Sequence, residues 1–172
     1  NLVELSAADG SKTSWDFHGD GPVYATLVHN NRLYVGGIFW SVGLDWRNYI
    51  AAFDLSTQKL VNWDPNLNGS VFSLQAVDDT IVAGGNFSSI NSSIRGPVVA
   101  ISATTGKVTP WRPNANGTVY AMAHWQNTVL LGGSFSWFDG QGYSVDGGQW
   151  QNNVALLPLD NTVNLQRSSY SG

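Results

Sequence analysis

The sequence predicts an all-β fold: a β-propeller-type repeat with a 48-residue period and four-stranded antiparallel blades, about three and a half of which are present. Three observations carry this expectation. Trp15, Trp63 and Trp111 stand 48 residues apart. The pairs Gly36-Gly37, Gly84-Gly85 and Gly132-Gly133 keep the same spacing, and Phe39, Phe87 and Phe135 each follow two residues after a pair. Short runs alternate apolar with small or polar residues, and helical periodicity is absent throughout.

The elements follow in order. The stretch "LVELSAADGSKTSW" from residue 2 matches "IAAFDLSTQKLVNW" from 50 and "VVAISATTGKVTPW" from 98. The chain therefore opens in mid-unit, on strands three and four of a half blade (1–20). Blades 21–68, 69–116 and 117–172 follow, all within one domain. In the first complete blade, Val23–Val28 is the first strand and Leu33–Gly37 the second. Asn30-Asn31 turns between them, matched by Asp78-Asp79 and Gln126-Asn127, residue types that tolerate the positive φ of a tight hairpin. Tyr49–Leu55 is the third strand and Leu60–Trp63 the fourth. "WDPNLNG" and "WRPNANG" then lead into the next unit, with proline ending the strand because it has no N–H for a ladder. The last blade shows three strands through "NVALLPLD" (153–160), and "NTVNLQR" is its candidate fourth. The glycine pairs suit places where backbones approach closely, and the repeating tryptophans supply apolar plates between blades.

An open stack of this size leaves an unpaired edge and an uncovered core face. The expectation is that it is completed by another copy or by the rest of a longer chain. The first residue is Asn1, which reads as a processed chain or a piece of a larger one.

Composition narrows the function. A net charge of −4 opposes nucleic-acid binding, which needs a basic stripe. Cysteine is absent, so disulfides and thiolate metal sites are ruled out. No apolar run is long enough to span a membrane. Charged residues make up only 12%, so the polar surface is built from Asn, Ser, Thr, Gln and Gly.

The string "W-x-P-N-x-N-G-[ST]-V-[YF]", then "[VAL]-G-G-x-F", "R-x-x-[IV]-x-A" and "[DS]-x-x-T-x-K", resembles the delta-sixty-type propeller repeat of large secreted and surface proteins. It is also similar to the repeats of the fungal cortical polarity-marker ectodomain family. The likeness covers about residues 2–160. It implies an extracellular or cell-surface propeller with scaffold or adhesive roles, and it transfers no catalytic residue. The chain departs from the pattern in its low charge, its additional tryptophans, its long third connection, and "WDFHGDG", which lacks Pro-Asn.

Sequons stand at Asn68, Asn86, Asn91 and Asn116. Asn68 and Asn116 share a repeat position with Asp20, where they also serve as turn residues. Asn86 and Asn91 owe nothing to the repeat and are the better glycan candidates. In a eukaryotic source, at least one of the four is expected to carry glycan.

Catalytic patterns are lacking. His18, His29 and His124 are not repeat features, and no HExxH, GxSxG or phosphate-loop motif occurs. Paired carboxylates for glycoside hydrolysis would have to come from Asp16, Asp45, Asp64, Asp139 and Asp146. Asp139 and Asp146 flank glycines, but Gln141 and Tyr143 break the calcium-loop spacing. No metal or cofactor is expected.

The connections between second and third strands differ from unit to unit: "FWSVGLDWRN", "FSSINSSIRG" and "FSWFDGQGYSVDGGQWQN". The last holds an insertion of about eight residues, since Val98 and Val154 are 56 apart where 48 is the rule. Trp40, Trp46, Trp137, Phe138, Tyr143 and Trp150, with Asp139 and Asp146, are the candidate binding residues, because variable connections on a rigid repeat are where recognition collects. The leading expectation is a non-enzymatic extracellular structural or interaction module, a glycoprotein propeller segment contacting other chains or itself. The alternatives are a carbohydrate-binding, lectin-like propeller and a glycoside hydrolase.

Overall fold

The computed structural model describes residues 2–139, 149–150 and 153–159. Within them the fold is all-β and antiparallel, and no helix is long and apolar enough to cross a membrane. The chain opens on a hairpin of β1 (Val3–Leu5) and β2 (Lys12–Asp16). Next come β3 (Val23–His29) and β4 (Arg32–Gly37), then a small hairpin of β5 (Ser41–Val42) and β6 (Asp45–Trp46). After them come β7 (Ile50–Asp54) and β8 (Lys59–Leu60). The first sheet runs β3-β4-β7-β8.

The same order returns in β9 (Val71–Val77), β10 (Thr80–Gly85), the small hairpin β11 (Ser89–Ile90) and β12 (Ser93–Ile94), and β13 (Val98–Ser102). It returns again in β14 (Asn114–Ala115), β15 (Val119–Trp125), β16 (Thr128–Gly133), β17 (Trp137–Asp139), β18 (Gln149–Trp150) and β19 (Val154–Pro158). The second and third sheets run β9-β10-β13 and β15-β16-β19.

Among the described residues only the first sheet has four strands, so the expectation of four is corrected for the second unit. In the second unit the fourth strand shrinks to one bridge, Ile101 to Val108, before Pro110 withdraws an N–H and the chain leaves toward Trp111. The predicted fourth strand of the last unit, "NTVNLQR", lies outside the described residues.

Successive sheets pack face to face. One core joins Tyr34, Ile50 and Ala52 of the first sheet to Val71, Leu74, Ile81 and Ala83 of the second. Another joins Val82, Val98 and Ala100 of the second to Val119, Val129, Leu131 and Ala155 of the third. A third sets Phe17, with half-buried Leu2 and Trp15, on Val35, Ala51 and Phe53 of the first. Central strands buried on both faces explain why "YVGG" and "IVAGG" read as continuous apolar runs.

Trp63 and Trp111 are buried, and each indole N–H donates 2.9 Å to a carbonyl of the following sheet, Ser102 and Pro158 respectively. Trp15 makes the weaker version, 3.3 Å to the Gln58 carbonyl. Phe39, Phe87 and Phe135 are buried, and Phe17 packs edge-on against Phe39 at 5.2 Å where the later units have Pro65 and Pro113. A side chain on Gly36 would strike Val71, and one on Gly84 would strike Val119, so the following sheet is what excludes a Cβ. The second glycines, Gly37, Gly85 and Gly133, face the carbonyls of Pro22, Ser70 and Thr118, where the first strand's register shifts.

Candidate functional site

The three connections are not free loops. Each is a short hairpin tied back to the turn that precedes its unit. Gly19 bridges Val42, Leu67 bridges Ile90, and Ala115 pairs Phe138. One side chain organises each tie. The Asp20 carboxylate accepts the N–H groups of Trp40 (2.8 Å) and Ser41 (3.1 Å). Asn68 Oδ1 accepts those of Ser88 and Ser89, both at 2.8 Å, and its Nδ2 donates to Ser88 Oγ at 3.1 Å. Asn116 Oδ1 accepts those of Ser136 and Trp137, both at 3.0 Å, and its Nδ2 donates to Ser136 Oγ at 3.1 Å. The position thus needs an oxygen that accepts twice, which Asp and Asn both supply.

This alters the reading of the sequons. Asn68 and Asn116 are exposed, yet their amides bracket a hairpin. Asn86 also has local work: its Oδ1 accepts the Ser70 N–H at 2.8 Å, a donor that Pro22 lacks in the first unit, where Ile38 stands instead. Asn91 is exposed and, with Ser92, forms the positive-φ turn (46° and 62°) of the β11–β12 hairpin, so its side chain stands clear of the ladder.

The binding candidates divide. Trp40 and Trp46 are exposed on the first hairpin, beside Leu44 at its tip. Trp137 is half-buried, and its backbone pairs with Trp150 across β17 and β18. Phe138 pairs with Ala115, the place that Val42 and Ile90 hold as buried residues in the earlier hairpins. By position, Phe138 therefore continues an apolar repeat and is not an unpatterned loop aromatic. Asp139 pairs with Asn114 through the backbone. Tyr143 and Asp146 lie outside the described residues.

Two features escaped the sequence reading. Tyr24, Phe72 and Tyr120 stand 48 residues apart on the first strands and form a ladder, with ring centroids 5.5 and 5.6 Å apart. The signal lay in the "V-[YF]" of the repeat. The other is a cleft of about 440 Å³ between the second connection and the turn entering the third unit, lined among others by Asn86, Ser88, Arg95, Arg112, Asn114 and Asn116. Its lining differs from the first unit. Ser88 replaces Trp40, and Gly96 replaces Asn48, leaving no room for a Cβ against Asn114 (2.7 Å from its Oδ1). Arg112 replaces Asp64, reversing the charge.

The carboxylates proposed for hydrolysis sit in turns. Asp16 and Asp64 are exposed and accept the backbone N–H groups of His18 (3.1 Å) and Asn66 (3.2 Å). The His18 N–H holds the Asp16 carboxyl below its ordinary value, opposite to what a general acid needs. Asp45 is exposed in β6. Among the described residues, no group of three His, Cys, Asp or Glu could hold a metal ion. His124 Nδ1 lies 3.1 Å from Gln75 Oε1, a contact between first strands of neighbouring sheets.

The Asp20 bracket is the one tie that titrates. The Trp40 N–H, then that of Ser41, hold its carboxyl below the ordinary 3.8. A lowered folded value means stability that is present above the unfolded value and is lost as pH falls through the folded one. Asp20→Asn, which copies Asn68 and Asn116, should therefore show a smaller drop in melting temperature between about pH 7 and about pH 2.5 than the wild type. The drop will not vanish, because Asp9, Asp16 and Asp54 are lowered by the N–H groups of Ser11, His18 and Thr57. An equal drop in both proteins would refute the bracket.

No protein-family model matches the chain, and no curated protein matches it. Among solved structures it is similar to two computationally designed proteins. Ika8 is 16% identical with a TM-score of 0.50, the match covering 79% of this chain and 45% of that one. Ika4 is 17% identical with a TM-score of 0.50, the match covering 93% and 98%. The chain thus spans under half the length of Ika8. At such identities the likeness concerns the fold alone.

Proposed function

We propose that the chain is a non-enzymatic structural or interaction module, a segment of an extracellular or cell-surface β-propeller glycoprotein that contacts other chains through its connection hairpins. The propeller reading is supported by sheets stacked in chain order through shared cores, with equivalent residues making equivalent contacts. The kinship with delta-sixty-type and cortical polarity-marker repeats rests on the motifs quoted above.

The observation that carries the functional reading is the first hairpin. Trp40, Leu44 and Trp46 are exposed together on a hairpin whose backbone is pinned by Asp20 and by the Arg47 N–H, which donates 3.0 Å to the Trp40 carbonyl. Large apolar side chains held rigidly in water are the composition of interface anchors. Carbohydrate binding is the second reading, favoured by the amide-rich cleft with Arg95 and Arg112.

The test compares wild type, Trp46→Ala and Arg112→Ala in a pull-down from surface extracts of the source and on a glycan array. Partner capture lost in Trp46→Ala, without array binding, supports the first reading. Saturable array binding lost in Arg112→Ala replaces it with the second. Hydrolysis of any arrayed glycan overturns both.

A further inference from the structure

We propose that the exposed aliphatic face of the third sheet docks a second copy of this chain, which seats the outer face of its β1–β2 hairpin there, head to tail. The chain itself supplies the pattern for this contact. Tyr34, Ile50 and Ala52 of the first sheet are 0% exposed because the second sheet lies on them, and Val82, Val98 and Ala100 of the second are at most 2% exposed beneath the third. The equivalent residues of the third sheet are Leu130, Val154 and Leu156, exposed by 39%, 51% and 69%. They remain aliphatic although nothing among the described residues lies on them.

The covering half of the interface is also present. Ala51 and Phe53 of β7 pack toward the preceding hairpin, and Val99 and Ile101 of β13 pack toward the preceding sheet. The matching positions of β1 are Val3 and Leu5, which are 52% and 58% exposed. Glu4, between them, points the other way and meets Thr13 and Gln58. Among the described residues, one molecule therefore carries both halves of an inter-sheet interface, and both are exposed. A second copy is the occupant for which both surfaces are already built. Because the two patches differ, the contact is heterologous: it closes a ring or runs on as a chain of copies. This surface is separate from the hairpin tips, so the proposal does not depend on them.

The experiment is sedimentation velocity with native mass spectrometry at up to about 100 µM. Wild type should assemble, and Leu5→Glu and Leu156→Glu should each be monomeric with unchanged far-ultraviolet circular dichroism. Mixing the two variants should restore a 1:1 complex, because each keeps the half that the other has lost. Trp46→Ala should assemble like wild type. Should either glutamate variant lose its β signal, Val3→Glu or Val154→Glu takes its place. A wild type that stays monomeric, end variants that still assemble, or a mixture that stays monomeric would each overturn the proposal. Assembly lost only in Trp46→Ala would also overturn it, while leaving the hairpin-contact reading standing.

Discussion

Trp63→Ala is expected to lower the unfolding free energy by about 3–5 kcal/mol, the range for emptying a large aromatic site in a core. Trp63 is 1% exposed, stands edge-on to Tyr34 with centroids 5.1 Å apart, and donates its indole N–H to the Ser102 carbonyl. Its loss opens a cavity between the first two sheets and strips the Ser102 carbonyl of a donor. The Tyr34 hydroxyl, whose titration burial pushes upward, stays a neutral donor and is already engaged with the Ala103 carbonyl at 3.2 Å. Urea melts followed by circular dichroism read the change directly. Trp15→Ala, at a half-buried position with a 3.3 Å bond, should cost clearly less. Equal effects at Trp15 and Trp63 would contradict inter-sheet packing as the source of stability.

The second large effect is a contrast among glycines. A Cβ on Gly85 would sit 1.9 Å from the Ser70 carbonyl oxygen, which belongs to backbone and cannot swing aside. Gly85→Ala should therefore cost about 3 kcal/mol or more, at the upper end of overpacking. Gly84→Ala meets only side chains, Val119 at 2.8 Å and Met122 sulfur at 3.1 Å, and should cost about 1–3 kcal/mol. Gly132→Ala finds nothing nearer than 3.9 Å and should be neutral, or stabilising by up to about 1 kcal/mol, because alanine gives up less backbone freedom on folding. Three glycines of one motif thus give three different outcomes. Similar losses at Gly84 and Gly132 would mean that the third sheet is covered in the isolated chain.

Much of this was legible from residue types. Asn30 with φ 46° and Asn31 with φ 58° make the turn that their side chains announce, and Asp78 and Gln126 open the matching turns at 50° and 53°. The boundaries of first and second strands fell within a residue or two of expectation. In the second unit the fourth strand was overcalled, because the ladder stops at the Ile101–Val108 bridge just before Pro110, which has no N–H to continue it. The candidate site was less legible. Trp40 and Trp46 are exposed, but the role of Asp20, Asn68 and Asn116 in pinning the hairpins required seeing the N–H groups about twenty residues ahead.

By itself the sequence determined the period, the turns and the residue types that alternate between faces, because these follow from neighbouring residues and from arithmetic on the chain. Only the tertiary structure decided which faces are covered. Tyr34, Val82 and Leu130 occupy one position of the repeat, and nothing local separates them. The first two are buried and the third is 39% exposed, because burial is conferred by the next sheet, and the described residues place no sheet after the third.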